Sequence, residues 1–190
     1  MCNQMRRLVA ALLIGGLVFG TAPLAANQES TDSGPDESAQ PPVPPCTTDT
    51  APYRDFDFWI GSWEVFDPET GQKLGDNEVT LSEDGCLIVE RWTSAGGGTG
   101  MSMNFHDPLQ NAWRQVWQSA AGFIDYRGGL DEAGRMVLEG MIHYNARGTS
   151  QPFRGRWTPG EEGTVLQEFW QQDPESGEWR RWFSGEYRPK

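Results

Sequence analysis

The chain has 190 residues, and its 27 aspartates and glutamates against 15 lysines and arginines give a formal net charge of −12 at pH 7. A surface this negative repels a phosphate backbone, so the composition argues against nucleic acid as a partner. From residue 53 onward the chain is long enough for a single domain with one core or one cavity.

The first residues are typical of an export signal. Arg6 and Arg7 precede an apolar stretch from Leu8 to Phe19, and small residues follow up to Ala26. The apolar stretch is shorter than the ~20 residues that a membrane span requires. We therefore predict that residues 1–26 are a signal peptide that is removed, and that the mature protein is periplasmic or secreted, with no membrane span.

Residues 27–52 are rich in Ser, Asp, Glu and Pro and have almost nothing apolar to bury. We predict that they form a disordered, acidic, Pro-rich spacer before the domain at 53–190.

After removal of the signal, Cys46 and Cys86 remain as an even pair in an oxidising compartment. Only one internal pairing is available to them, so we predict a structural disulfide between Cys46 and Cys86.

Nine turn signals divide the rest of the chain into segments of six to ten residues that are rich in aromatic and β-branched types. These segments predict ten strands: Gly61–Asp67, Lys73–Ser82, Cys86–Thr93, Met101–His106, Ala112–Ser119, Phe123–Leu130, Arg135–Tyr144, Gln151–Thr158, Thr164–Gln172 and Trp179–Arg188. Asp-Pro turns beginning at Asp67, Asp107 and Asp173 indicate hairpins between consecutive strands. Because open hydrophobic edges invite aggregation, we predict an all-β fold, a closed antiparallel up-and-down barrel of about ten strands.

Alternation divides each predicted strand into two faces. On one strand Met101, Met103 and Phe105 share a face, and the opposite face carries polar residues, namely Ser102, Asn104 and His106. On the next strand Trp113, Gln115 and Trp117 share a face. Neither face is polar throughout the sheet, so alternation leaves open which one points inward.

All nine tryptophans lie in the predicted domain, and two uses for them compete. In one, tryptophans fill the core and plug the ends of the barrel, namely Trp59, Trp63, Trp179 and Trp182. In the other, aromatic side chains wall a cavity in which a few polar groups orient a small apolar or aromatic molecule. The second interpretation predicts ligand-binding residues, namely Glu90, Trp92, Asn104, Trp113, Gln115 and Trp117.

Signals for catalysis are weaker. His106 and His143 are far apart in the sequence, lack the spacing of a zinc motif, and are interpreted as exposed residues at strand ends. No Gly-x-Ser-x-Gly nucleophile motif is present, and we predict no metal, cofactor or catalytic residue.

An alternative function is that of a hydrolase, isomerase or cyclase in which Glu90 or His106 transfers a proton, with Glu90 and Glu168 as a further acid–base pair. A third is a solid barrel that acts as an interaction module.

The stretch from Phe56 to Trp63, with Asp84–Leu87, Glu90–Trp92, Asn104–Pro108 and Trp113–Trp117, resembles a family of uncharacterised exported bacterial proteins. The resemblance implies a calycin-like barrel, similar to lipocalins, fatty-acid-binding proteins and nitrobindins, and it implies no activity. A haem site of the nitrobindin type would require a proximal histidine near the last strands, and residues 164–190 contain none. We therefore expect a lipocalin-like barrel that stores, transports or senses a small molecule.

Overall fold

The computed structural model describes residues 43–190. The predicted signal peptide and most of the predicted spacer lie outside the described residues. The last part of that spacer contains a short 3-10 turn at Pro45–Thr47. The barrel and the described residues that precede it belong to one compact unit.

The described residues contain ten β-strands, each close to the segment that turn signals and composition predict. They are β1 (Gly61–Phe66), β2 (Lys73–Ser82), β3 (Leu87–Ser94), β4 (Thr99–Asp107), β5 (Ala112–Ser119), β6 (Gly122–Leu130), β7 (Met136–Tyr144), β8 (Thr149–Pro159), β9 (Val165–Gln172) and β10 (Trp179–Pro189). Further 3-10 turns are found at Asp57–Trp59, Glu83–Gly85 and Glu161–Gly163. Within residues 43–190, no helix is long and apolar enough to cross a membrane.

Each strand pairs antiparallel with the next, and β1 pairs with β10, so the sheet closes. Trp63 lies opposite Pro189 and Phe66 opposite Glu186 at this closure. The predicted all-β, up-and-down closed barrel is confirmed, and it is consistent with a calycin-like architecture. The register of β10 against β9 shifts between Arg181 and Phe183, which places a bulge at the intervening residue.

The hairpins follow from the chemistry of their turns. Asp67 Oδ1 accepts hydrogen bonds from the backbone N–H groups two and three residues later. Asp107 and Asp173 make the same pair of bonds in their own turns. The side chain thus replaces a backbone acceptor and fixes the turn locally, which is why the sequence predicts these hairpins well.

The inward face of β4 is its polar one. Ser102 and Asn104 are fully buried, whereas Met101 is 36% exposed and Met103 is 45% exposed. The interpretation of His106 as an exposed strand-end residue is wrong, because its ring is buried and packs edge-on against Tyr53 at 5.0 Å between centroids. Burial of Ser102 and Asn104 is tolerated because the two side chains hydrogen-bond to each other and to groups on the neighbouring strands.

One end of the barrel is closed by the segment just before β1. Residues 53–60, which we call the plug, insert Phe56 and Trp59 into the interior, where both side chains are fully buried. The two rings stack with 5.1 Å between centroids, and Phe56 also packs edge-on against Trp157 at 5.2 Å. Trp63 joins this core by donating its indole N–H to the Trp59 carbonyl at 3.0 Å.

The interpretation that tryptophans fill the core and the barrel ends is correct for Trp59 and Trp63, wrong for Trp179 and correct only in part for Trp182, which packs on Phe153 at 5.6 Å between centroids. Trp179 is 37% exposed, and the Arg154 guanidinium lies over its ring at 4.7 Å. Trp182 is 51% exposed and stands at the bulge of β10.

The predicted disulfide between Cys46 and Cys86 is present, with 4.8 Å between the two Cα atoms. Arg54 of the plug reinforces the same junction, because its Nη2 donates to the carbonyl oxygens of Cys46, at 3.2 Å, and of Gly85. The plug and the turn between β2 and β3 are thereby held together by a covalent bond and by hydrogen bonds. A structural disulfide of this kind is typical of proteins from oxidising compartments.

Candidate functional site

A cavity of about 100 Å³ lies inside the barrel beyond the closed end. Its walls are mainly aromatic, and three polar residues reach it. The lining residues are Glu90, Trp92, Gln115, Trp117, Ile124, Tyr126, Gln167, Phe169, Trp182, Phe183 and Tyr187. Because Trp182 lines the cavity and is half exposed, it marks the opening to solvent.

Glu90 is positioned by the alternation of β3, which turns Ile88, Glu90 and Trp92 toward the interior. The carboxyl group is only 3% exposed. Its Oε1 accepts a hydrogen bond from Asn77 Nδ2 at 2.8 Å, and its Oε2 accepts one from Ser102 Oγ at 2.7 Å. Ser102 lies directly opposite Glu90 on β4, so this contact is set by strand register.

Hydrogen bonds continue from Glu90 in one direction around the barrel. Asn104 Nδ2 donates to Ser102 Oγ at 2.9 Å, Gln115 Nε2 donates to Asn104 Oδ1, and the Tyr126 hydroxyl donates to Gln115 Oε1. Asn104 lies opposite Gln115, and Gln115 lies opposite Tyr126, on neighbouring strands. The register of two hairpins thus places these polar side chains side by side.

The chain of bonds also runs the other way. Asn77 Nδ2 donates to the Tyr187 hydroxyl at 3.3 Å, and that hydroxyl donates to Gln167 Oε1. We call the whole set of buried, connected side chains the polar belt. Its members are Asn77, Glu90, Ser102, Asn104, Gln115, Tyr126, Gln167 and Tyr187. The belt forms the polar floor of the cavity.

Burial raises the pKa of Glu90 to about 7, against the opposing effect of the hydrogen bonds from Ser102 and Asn77. No lysine or arginine among residues 43–190 forms an ion pair with this carboxyl group or acts on its pKa. Burial likewise raises the pKa of Tyr126 and of Tyr187 well above its usual value, so both hydroxyls stay protonated. At neutral pH Glu90 therefore exists in both its protonated and its charged form.

The aromatic walls stand against glycines. A Cβ atom on Gly75 would come within 2.7 Å of the Trp92 ring, and one on Gly100 would overlap the Trp117 ring. The absence of a side chain at these two positions lets both indoles lie flat against the barrel wall. The sequence signal for this arrangement was Gly75, inside the predicted second strand, and Gly100, just before the predicted fourth strand.

The structure brings together most of the predicted ligand-binding residues. Glu90, Trp92, Gln115 and Trp117 line the cavity. Asn104 lies one step behind it in the polar belt, and Trp113 lies at the closed end, where its indole N–H donates to the Pro52 carbonyl at 3.0 Å. The sequence analysis did not identify Tyr126 or Tyr187. The register of the β5–β6 hairpin pairs Gln115 with Tyr126, so a register prediction would have found Tyr126.

Other candidate groups lie elsewhere. Glu168 faces outward and pairs with Arg156 at 2.5 Å, so the hypothesis that Glu90 and Glu168 form an acid–base pair is wrong. Neither His106 nor His143 lines the cavity. Across residues 43–190 there is no group of three His, Cys, Asp or Glu side chains that could hold a metal ion.

Comparison of the chain with protein-family models gives no match, and comparison with curated proteins gives none either. The chemistry of the cavity is therefore the guide to the function of this domain. That chemistry combines a buried carboxyl group, hydrogen-bonding amides and a wall of aromatic rings.

Proposed function

We propose that this domain binds a small molecule with a flat or apolar body inside the barrel, for storage, transport or sensing. The observation that carries the proposal is the buried carboxyl group of Glu90 at the floor of an aromatic cavity. A mostly apolar pocket with a few converging polar groups and one shifted pKa is the usual form of a ligand site.

The closed end shows why a purely structural role explains the cavity less well. There the fold fills its interior with aromatic rings that pack on one another. A carboxyl group that lacks a cation costs several kcal/mol when it is charged and buried, so a barrel built only for stability would replace it with an apolar residue. Retention of both the carboxyl group and the empty space supports a ligand.

The size of the cavity limits the ligand. Its 100 Å³ is below the volume of about 150 Å³ that admits benzene in an engineered protein cavity. A ring with a short substituent therefore fits only if the cavity widens, and we propose a ligand of this size as the upper limit. Trp182 is half exposed at its bulge, and we propose that it turns outward to admit the ligand.

Native mass spectrometry of the protein purified from its own host tests the proposal. We expect a mass excess that disappears when the same sample is denatured. Tryptophan fluorescence gives a second test with small aromatic probes. Trp117→Phe should reduce the probe-induced change, because Trp117 is one of three tryptophans that line the cavity, whereas Trp179→Phe, on the outer surface, should preserve it. No mass excess, together with fluorescence that no probe alters, would favour the solid interaction module.

An enzyme on the same barrel is the second candidate, because Glu90 is present in both proton states near pH 7, as general acid–base catalysis requires. Binding ranks first because both tyrosine hydroxyls donate to amide oxygens of the belt, and so neither is aimed at a developing negative charge on a substrate. Loss of turnover with retained binding in Glu90→Gln would favour the enzyme.

We further propose that the protein is exported, with residues 1–26 as signal peptide, 27–52 as spacer and 53–190 as the binding domain. The disulfide between Cys46 and Cys86 supports an oxidising compartment. Mass spectrometry of the mature chain tests the proposal, because its first residue should be Asn27. A mature chain that retains Met1 in the cytoplasmic fraction would contradict it.

A further inference from the structure

Resting on the binding function above, we propose that the ligand is a small amine with an apolar or aromatic body, and that its ammonium group pairs with the Glu90 carboxylate. The inference specifies the chemical class of ligand, which the aromatic wall alone leaves open.

Glu90 has no positively charged partner among the described residues. Elsewhere on the barrel, acidic side chains meet basic ones, as where Asp125 pairs with Arg114 at 2.7 Å. Glu90 is much more buried and accepts hydrogen bonds only from the neutral groups of Asn77 and Ser102. A buried carboxylate is stable when a cation neutralises it. An ammonium group supplied by the ligand would provide that cation.

The surroundings of Glu90 contain more hydrogen-bond acceptor sites than donors. A carboxylate has about four lone-pair sites, and each Glu90 oxygen accepts only one hydrogen bond here. The amide oxygens of Gln115 and Gln167, which also reach the cavity, each accept one bond and can accept a second. In the same cluster, buried Asn77 Oδ1 has no donor among the described residues. An ammonium group brings three donors to this acceptor-rich floor.

The aromatic wall of the cavity also suits an amine. Ring faces attract ammonium groups within about 6 Å, most strongly when water is excluded, and they also pack against an apolar body. Trp92 and Phe183 lie edge-to-face at 6.4 Å between centroids, and Phe169 packs against Phe183 at 5.6 Å. An anionic ligand would meet no positive charge on this wall and would be repelled by Glu90.

Binding should depend on pH through Glu90. The groups that face it from β2, β4, β5 and β9 are Asn77, Ser102, Gln115 and Gln167, which do not titrate. Of the other ionisable residues of the interior, Tyr126 and Tyr187 stay neutral, and His106 lies toward the closed end against Tyr53. Affinity for an amine should therefore fall roughly tenfold for each pH unit below about 7, as Glu90 gains its proton.

The test is calorimetry on the full chain with three probes of one shape: benzylamine, benzyl alcohol and benzoate. At pH 8 we expect benzylamine to bind at least tenfold more tightly than benzyl alcohol, and benzoate to bind most weakly. Between pH 7 and pH 5 only the amine should lose affinity. Glu90→Gln should lower amine binding to the level of the alcohol, and Glu78→Gln, an exposed glutamate on the neighbouring strand, should change nothing.

The outcomes separate this inference from the proposed function. Equal binding of alcohol and amine at pH 8, tighter binding of benzoate, or no binding of benzylamine overturns the inference. A mass excess in native mass spectrometry whose released molecule lacks an amino group also overturns it, although the binding function then stands. The binding function itself fails only if no ligand is released and no probe binds. If Glu90→Gln does not fold, the pH profile of the unaltered protein decides.

Discussion

The closed end and the open end of this barrel are both built from aromatic side chains, but they use these side chains differently. At the closed end Phe56, Trp59 and Trp157 are fully buried and pack on one another. At the open end Trp92 and Trp117 stand against glycines around a cavity with a polar floor. Aromatic content alone therefore does not distinguish a core from a site; the contacts of each ring do.

The difference originates outside the sheet. The plug adds rings to the closed end. The backbone carbonyls of Trp59, in the plug, and of Pro52, just before it, accept hydrogen bonds from the indole N–H groups of Trp63 and Trp113. Nothing among the described residues fills the open end in this way, and its polar groups bond along the belt instead. The closed end thus contributes stability, and the open end keeps a volume that a ligand can occupy.

The largest effect should come from the closed end. Trp59→Ala removes a fully buried side chain and should lower the free energy of unfolding by about 4 kcal/mol. Trp117→Ala, which extends an existing cavity beside a partly exposed ring, should cost about half as much, and Trp179→Ala on the outer surface should cost less than about 1 kcal/mol. Urea unfolding measures all three. Equal losses for Trp59→Ala and Trp117→Ala would remove the distinction between the two ends.

Loss of the disulfide should have the next largest effect. Cys46 and Cys86 are separated by 40 positions, and closing such a loop stabilises the folded chain by up to about 4 kcal/mol through the entropy of the unfolded state. The double variant Cys46→Ala, Cys86→Ala should lose stability to urea without losing probe binding, because neither cysteine lines the cavity. Loss of probe binding in a variant that remains folded would show that the two ends are coupled.

The third effect concerns the open end and depends on pH. Glu90 has a pKa of about 7 in the folded chain against 4.5 ordinarily, so the unfolded chain releases this proton first as pH rises. The contribution of Glu90 to stability is therefore complete below pH 4.5 and is lost by about pH 7, with a total change of about 3 kcal/mol.

The measurement is the difference in the free energy of unfolding between Glu90→Gln and the unaltered protein. This difference should grow in favour of the variant from pH 4.5 to 7 and stay constant above. A difference that is independent of pH would mean that Glu90 is already charged at low pH and that the floor of the cavity is wet.

The smallest effect should come from the glycine behind Trp117. A methyl group in Gly100→Ala overlaps the Trp117 ring and should cost about 1–3 kcal/mol as the ring moves. Gly96→Ala in the same hairpin meets nothing closer than Ser94 Oγ at 3.9 Å and is the matched control. Probe affinity should change in Gly100→Ala alone. Unchanged affinity in both variants would mean that Trp117 is not part of the wall that contacts the ligand.

The strands and their order were predictable from sequence because the information is local. Asp67, Asp107 and Asp173 make their turn bonds within three residues, so each hairpin is specified where it occurs. Part of the site was predictable for a related reason: Trp92 and Glu90 share a face with period two. The partners of Glu90 were not predictable, because Asn77 and Ser102 lie 13 and 12 positions away on other strands.

What the sequence by itself determined is therefore the set of elements: ten strands, their hairpin connections, the need for closure and one disulfide. The tertiary structure alone decided which face of each strand points inward. On β4 the interior received the polar face with Ser102 and Asn104, against the hydrophobicity of Met101 and Met103. The physical reason is that burying a polar side chain costs much less when hydrogen-bonding partners are buried beside it. For Ser102 and Asn104 those partners come from neighbouring strands, whose register is set by the closed sheet.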